Sequence, residues 1–475
     1  MKTTGFAQTT RTAEHCLLIK GDPAMSNGVD DVSATQVTAP GRRPPGLRLP
    51  AVVQTLLFAR YRHHLFPMLR RWYGDIFTLR LTTPTRHLVI LSRQEDIKAV
   101  FGGPVEVLHA GEGNAIMGPA LGDHSVLLLD ESEHRRARRL LMPAFTGAAL
   151  AGYRQMVTAL TKAEVERWPE GRPFSMHHRM QVLTLEIILQ VVFGVTDETR
   201  LARMRPLVRG IADIGPVTLL GLPYPLLQRV DPWRRHTALQ RDLDVLLYEE
   251  IAERRRSPDL HSRADVLSRL LQEAEKDQSG KGGGFTDSEL RDQLITLLLA
   301  GHETTATGLA WAVHELVRDT EQLARAQRAA DDGDETYLTA VAKEGLRIKP
   351  VVYEVARQLT QPLTVGGYRI PAGATVMPAI GLVQSDPAHH DRPDVFRPER
   401  FLGDQPPAHT WIPFGGGARR CIGAGFALLE AVVTLREMLL RYDIRPDQLA
   451  PEKQKAHHVT LIPSRGARVV VSQRC

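Results

Sequence analysis

Phe414-Gly415-Gly416-Gly417-Ala418-Arg419-Arg420-Cys421-Ile422-Gly423 is the stretch on which the reading of this chain turns. Three consecutive glycines make a loop whose backbone can come close to a ligand and aim its amide N–H groups inward. A thiolate at Cys421 would have its charge eased by those amides and by the start of the helix predicted to follow at Ile422 to Arg436. Thiolate is a soft ligand for iron, and haem iron can be held by a single cysteine. A lone cysteine is ordinarily an inert, partly buried thiol. That reading loses ground because Phe-x-x-Gly-x-Arg-x-Cys-x-Gly imposes ordered requirements over ten positions. Zinc is disfavoured, since the other cysteines, Cys16 and Cys475, lie far outside ligand spacing.

Upstream, Thr286-Asp287-Ser288-Glu289 reads as a capping box, with Phe285 and Leu290 placed to staple it. The apolar pattern then runs past Val313, predicting a helix of about 30 residues and about 45 Å. Its centre, Ala300-Gly301-His302-Glu303-Thr304-Thr305, crowds a glycine, an acid and two hydroxyls where a helix prefers none of them. A close-packed glycine and a wet polar face explain that segment as well as a functional role does. Short strand-like runs appear at 77–81 and 87–91, with extended pieces at 363–370 and 467–472. Helices dominate, so the expected class is mainly α with small β-sheets at the edges, an α+β arrangement without βα alternation.

The remaining sequence narrows the class of protein. Of 475 residues, 43 % are apolar and 24 % charged, which excludes a disordered, collagen-like or coiled-coil chain. A net charge of +6 over this length does not imply nucleic acid as a partner. Three cysteines make no disulfide framework and suit a reducing, cytoplasmic compartment. The apolar run Cys16-Leu17-Leu18-Ile19 is too short for a signal core, and no transmembrane anchor is expected. Residues 1–46 read as a flexible, Pro/Gly-tipped arm in which Met25 could serve as an alternative start. Residues 47–475 read as one domain, with a second loose segment near 276–284.

The glycine-rich cysteine loop resembles the haem-binding loop of the cytochrome P450 superfamily, the haem-thiolate monooxygenases. Four further segments resemble that family in the same chain order. His134-Arg135-Arg136-Ala137-Arg138 resembles its bacterial His-x-x-x-Arg, and Ala300 to Thr305 the oxygen-activating part of its central helix. Glu344-Gly345-Leu346-Arg347 resembles its Glu-x-x-Arg helix, and Pro398-Glu399-Arg400-Phe401 its Pro-Glu-Arg-Phe loop. The style is that of soluble actinobacterial members, and 50 Arg among 60 basic residues agree with a GC-rich genome.

The resemblance implies the cytochrome P450 fold, with haem b (iron protoporphyrin IX) between the long central helix and the cysteine loop. It implies Cys421 as the axial iron ligand and Phe414, Gly415 and Gly423 as the loop around it. His134, Arg138, Arg357 and Arg419 would meet the propionates, Arg357 resting only on its distance past Arg347 and on the following Gly366-Gly367-Tyr368-Arg369-Ile370-Pro371. Ala300 and Gly301 would leave room over the macrocycle. Glu303 and Thr304 would relay protons to dioxygen as the catalytic pair. Glu344, Arg347 and Arg400 would form a buried structural clamp; at i, i+3 the first two share a helix face. As a solvated pair they would contribute about 1 kcal/mol or less, whereas removing one buried partner would cost roughly 3–5 kcal/mol. Arg135, Arg136 and Arg139 read as a solvated basic face, or one that receives an acidic electron donor.

The activity so implied is insertion of one atom of O2 into an apolar organic substrate, an oxidoreductase of the EC 1.14 type. No flavin-like or dinucleotide-binding tail follows Gly423, so the electrons would come from a ferredoxin with its ferredoxin reductase, or from a flavodoxin. The segments 108–128 and 211–227, with Val351, Val352 and Tyr353, would face substrate. Two rival classes remain: a haem-thiolate isomerase or peroxygenase, and a non-catalytic haem-binding or sensor protein. Neither needs the Glu303–Thr304 pair.

Overall fold

The computed structural model describes residues 43–82, 87–194, 197–276, 284–403 and 406–474. The expected arm therefore lies outside the described residues up to 42, as does most of the loose segment, from 277 to 283. Where the arm would end, the chain is tied down: Gly46 bridges Thr78, and Thr78 N donates to Pro45 O at 2.7 Å.

Helices dominate the described residues, and twelve have nine residues or more. They are α1 (Ala51–Tyr73), α2 (Gln94–Gly102), α3 (Glu131–Leu141), α4 (Gly147–Val165), α5 (Met176–Phe193) and α6 (Glu198–Ala212). Then follow α7 (Trp233–Arg256), α8 (Val266–Lys276), α9 (Asp287–Leu316), α10 (Thr320–Asp332), α11 (Glu335–Ile348) and α12 (Ala424–Arg441). The strands are β1 (Ile76–Arg80), β2 (His87–Leu91), β3 (Leu108–His109), β4 (Phe174–Ser175), β5 (Arg357–Leu359) and β6 (Leu363–Val365). They continue with β7 (Tyr368–Ile370), β8 (Thr375–Pro378), β9 (Tyr442–Pro446), β10 (Gln454–His457), β11 (Thr460–Pro463) and β12 (Arg468–Gln473).

The larger sheet runs β1-β2-β8-β5-β3, with β2 and β8 parallel and the other pairs antiparallel. A three-stranded sheet, β4-β12-β9, and the hairpins β6-β7 and β10-β11 complete the β structure. The one extended piece expected at 363–370 is thus a hairpin, because Gly366 and Gly367 both take left-handed φ and turn the chain.

α5 and α9 form the spine. α5 is apolar on nearly every side, and twelve of its residues are buried, as suits a helix inside a large core. It opens on Ser175, whose side chain accepts from His178 N, and stops at left-handed Gly194. α9 begins at the expected capping box: Thr286 N donates to Glu289 Oε2 at 2.8 Å, and Glu289 N donates to Thr286 Oγ1 at 3.3 Å. It then runs unbroken for 30 residues. The polar centre bonds back into the helix, Thr304 Oγ1 to Ala300 O at 2.7 Å and Thr305 Oγ1 to Gly301 O at 3.0 Å.

The basic face of α3 is not uniformly solvated. Arg136 pairs with Glu289 at 2.6 Å, donates to Gly284 O at 2.9 Å and lies 5.5 Å from the Phe285 ring centre. It joins α3 to the first turn of α9, a tertiary contact that local charge patterning does not reveal. Arg135, by contrast, pairs with an exposed Glu106 at 3.7 Å. Among the described residues no single helix is long and apolar enough to cross a membrane.

Candidate functional site

The cysteine loop leads straight into α12. Its backbone is stitched across its own base: Cys421 N donates to Phe414 O at 2.9 Å, Gly415 N to Ile412 O at 2.9 Å and Arg420 N to Gly417 O at 3.1 Å. The end of α2 presses on the loop, and a side chain at Gly417, whose φ is +65°, would stand 1.8 Å from Phe101 O. Gly415 and Gly423 differ, since a side-chain carbon at either would meet nothing within 4 Å. Both border open space, and Cys421 is itself exposed. Although part of the residue reaches solvent, burial of its sulfur among the loop atoms lifts the Cys421 thiol above its ordinary pKa, against the lowering effect of the Gly423 amide and of Arg420 and Arg138. Ring packing of Trp411 on Phe414, edge to face at 5.9 Å, steadies the other end of the loop.

Behind the loop lies the clamp, fully out of water. Arg347 donates through Nε to Glu344 Oε2 at 2.7 Å and through a terminal nitrogen to Oε1 at 2.8 Å; both side chains are 0 % exposed. Arg400 Nε adds a bond to Oε1 at 3.2 Å and the Arg397 amide another at 2.9 Å. The expected triad is thus brought together, and its link to the cysteine loop is a residue the sequence does not advertise. Gln384 accepts from the Ile412 amide at 3.1 Å and donates to Leu346 O at 3.0 Å, while Arg347 donates to Gln384 O at 2.9 Å. No local pattern marks a glutamine for such a role.

The four candidate propionate contacts come from α3, β5 and the cysteine loop, and they converge. His134 is buried, and its pKa is pushed down to about 3 by desolvation and then by Arg419, Arg138 and Arg357. Arg357 and Arg419 are each lowered to about 10, first by burial and with mutual repulsion contributing for Arg357. Arg138 is lowered by burial as well, and Cys421 offsets it. Arg357 sits 5.9 Å from the Phe101 ring centre and donates to Ala356 O at 2.7 Å. Arg419 donates to Val126 O at 3.2 Å and pairs with Asp130. Asp130, not singled out from the sequence, is also fastened to the Gly111 and Glu112 amides at 2.9 and 3.0 Å. Arg357 and Arg419 both feel this one carboxylate, and Arg138 stands close enough to Arg419 to repel it, so the cluster holds three guanidiniums to one carboxylate. Crowded cations are held together at such a cost where an anion completes them. A doubly anionic group matches the excess, and the two propionates of haem fit the donor set.

α9 offers Ala300, exposed midway along a helix whose Leu298 and His302 are buried. Gly301 does not share that face. A side-chain carbon there would stand 2.9 Å from Ile188 of α5, so its smallness serves helix packing and not clearance over a ligand. Thr304 is half-buried. Glu303 turns into a polar pocket between elements: Gln181 donates to its Oε2 at 2.7 Å, and His177 and His457 lie 3.7 Å from its Oε1. These neighbours hold its carboxyl below the ordinary pKa, although burial alone would raise it. Of the segments expected to face substrate, Tyr353 lies in a core instead, its ring 5.9 Å from Phe66. The segment 108–128 holds β3 and short helical turns, and Tyr224 and Leu226 stand exposed in 211–227.

The cytochrome P450 family model matches residues 44–470. Cytochrome P450 135A1 of Mycobacterium tuberculosis is 46 % identical over 436 residues, which cover 91 % of this chain and 96 % of the relative. Cytochrome P450 135B1 of Mycobacterium bovis is 44 % identical over 435 residues, 90 % of this chain and 91 % of the relative. Among solved structures, a retinoic acid-bound cyanobacterial CYP120A1 superimposes with a TM-score of 0.80 at 23 % identity, over 91 % of this chain and all of that one. A cysteine loop, a buried Glu–Arg clamp and a cationic cluster assembled from three elements thus sit in a chain that matches one family over nearly its whole length, and that chain belongs to the cytochrome P450 family, the haem-thiolate monooxygenases.

Proposed function

We propose that this protein inserts one atom of O2 into an apolar organic substrate, using electrons from a separate ferredoxin with its reductase or from a flavodoxin. The observation that carries the reading is the convergence of Arg138, Arg357 and Arg419 with a neutral His134 beside Cys421, a donor set that suits a dicarboxylate ligand. Haem b, when bound, supplies the oxidising chemistry. The chain's own part is to hold and order it. Cys421 would ligate the iron from the loop, and the arginines and His134 would take the propionates. Glu344, Arg347 and Arg400 would keep the loop's base rigid through Gln384.

Thr304 Oγ1, bonded to Ala300 O, can release that bond to accept or pass a proton at the helix surface. Glu303 is the acid behind it, kept ionised by Gln181, His177 and His457. An isomerase, peroxygenase or haem sensor has no need of this pair, which favours the monooxygenase. Three cysteines in 475 residues support a reducing, cytoplasmic setting.

Two measurements test this. The carbon monoxide difference spectrum of dithionite-reduced protein should show the far-red Soret band of a thiolate ligand, abolished in Cys421→Ser; a band at the position of His-ligated haem would refute the assignment. With surrogate ferredoxin and an apolar substrate, Thr304→Ala should keep the haem yet consume O2 with little product. Product formation by that variant at the parent's rate, without peroxide, would rule out the relay.

A further inference from the structure

At the surface end of the Glu303 pocket, three side chains with metal-ligating atoms come together from distant parts of the chain. Asp213 caps the C-terminal end of α6, and His457 and His458 stand at the tip of the β10-β11 hairpin. One ligand atom from each lies within 4.8 Å of the other two. Adjacent side chains in a regular strand point to opposite faces. Here His458 takes a φ of +53°, and the two imidazoles lie side by side with ring centres 4.0 Å apart. The turn is held from behind, where Arg62, paired with Glu354 at 3.1 Å, donates to His458 O at 3.1 Å.

His457 is set between two carboxylates. Its Nε2 faces Asp213 Oδ1 at 3.6 Å, and its Nδ1 faces Glu303 Oε1 at 3.7 Å. Neither distance is a hydrogen bond. Buried polar atoms are left over: His457 Nδ1, His458 Nε2 and Glu303 Oε1 have no hydrogen-bond partner among the described residues. Polar atoms so placed are rare unless something else satisfies them.

We propose that Asp213, His457 and His458 form a zinc site, with Glu303 behind it accepting the second N–H of the ligating His457. Two imidazoles and one carboxylate suit zinc, and a ligating histidine nearly always gives its other N–H to a carboxylate. Zinc–ligand bonds of about 2.0–2.1 Å put tetrahedral ligand atoms roughly 3.3 Å apart, so the three must draw in by up to about 1.5 Å. Asp213, 81 % exposed, is free to move and leaves the ion open to solvent, with water for its remaining position. Zinc bound there fixes Glu303 as an acceptor from His457 and takes it out of proton exchange with Thr304. The site does not depend on the proposed relay, but this last consequence rests on it.

The haem-loaded, full-length protein is titrated with zinc by calorimetry, and with cobalt(II) by absorption. One ion should bind per chain, and cobalt should give a tetrahedral visible spectrum. His457→Ala, His458→Ala and Asp213→Asn should each weaken binding at least about tenfold, and Glu303→Gln about tenfold. The carbon monoxide spectrum should stay that of the parent throughout, which separates loss of the site from loss of the haem reading. No binding, or binding unchanged in His458→Ala and in the exposed Asp213→Asn, overturns the site. Turnover of the parent should fall with zinc while that of Asp213→Asn does not; unchanged turnover in zinc-saturated parent overturns the link to Glu303 and leaves the site standing.

Discussion

Arg357 and Arg419 are each held near a pKa of about 10, well below an ordinary guanidinium, because burial is not matched by enough negative charge. Without an anion these side chains strain the native state; with one they bind it through charge-assisted bonds. Replacing Arg357 should therefore have opposite effects in the two forms. Arg357→Met should raise the unfolding midpoint of haem-free protein and weaken haem binding about ten- to hundredfold. Thermal unfolding and haem titration of the two proteins check this. A variant less stable without haem and equal to the parent in haem affinity would contradict it. His134 and Arg138 were legible from His-x-x-x-Arg and Arg419 from the cysteine loop, Arg357 only from its distance past Arg347, and their counter-charge Asp130 was not legible at all. It sits one residue before α3 and earns its place through bonds to Gly111, Glu112 and Arg419, none of which is close in sequence.

Between elements, the clamp is the tightest joint. Glu344 accepts four hydrogen bonds, from Arg347 twice, from Arg400 and from the Arg397 amide, with none of its surface in water. Glu344→Gln would leave two buried guanidiniums without their carboxylate and should destabilise the protein by roughly 3–5 kcal/mol. Urea unfolding of the haem-loaded pair measures it, and a loss under about 1 kcal/mol would mark the triad as an ordinary surface pair.

A second joint is pH-sensitive. His109, at the end of β3, reaches Glu112 through Nδ1 and Glu131 of α3 through Nε2, each at 2.9 Å, with Asp130 at 3.8 Å. Burial lowers its pKa, but the hydrogen bonds to Glu112 and Glu131 and the charge of Asp130 outweigh it, and the net shift is upward from 6.5. The protonated ring donates to both carboxylates, so the stabilisation is complete below pH 6.5 and is lost as pH rises through the higher folded-state value. The difference in melting temperature between parent and His109→Gln should thus be larger at about pH 6 than at about pH 9. A difference that does not change with pH would exclude this role. Helix boundaries were read well where a cap is written in the sequence, as at Thr286–Glu289. Arg136 was misread as solvated because its partner, Glu289, lies 153 residues away.

Across the whole molecule, stability is divided. α5, α9 and their neighbours share one large apolar core, whereas Cys421 and the His134–Arg138 face of α3 lie outside it. In haem-free protein, amides of 414–423 and of α3 should exchange hydrogen faster than those of α5 and the second half of α9. Adding haem should slow exchange mainly in the first group, by mass action on the site it occupies. Protection gained evenly over the chain would show that the core and the site fold as one unit.

Local chemistry determined a good deal by itself. Glycines, a cysteine and an arginine at set spacings, a capping box and a Glu-x-x-Arg pair are short-range patterns, and short-range patterns dictate backbone shape and which residue types stand ready. They gave the long central helix, the class of fold and the members of the clamp. Tertiary structure decided which faces those residues present. Gly301 packs on Ile188, Tyr353 enters a core, Gln384 bridges the clamp to the loop, and Glu303 meets His177 and His457, with Asp213 beyond them. A side chain's partner is set by the path of other segments through space, and the spacing along one chain segment carries no record of that path.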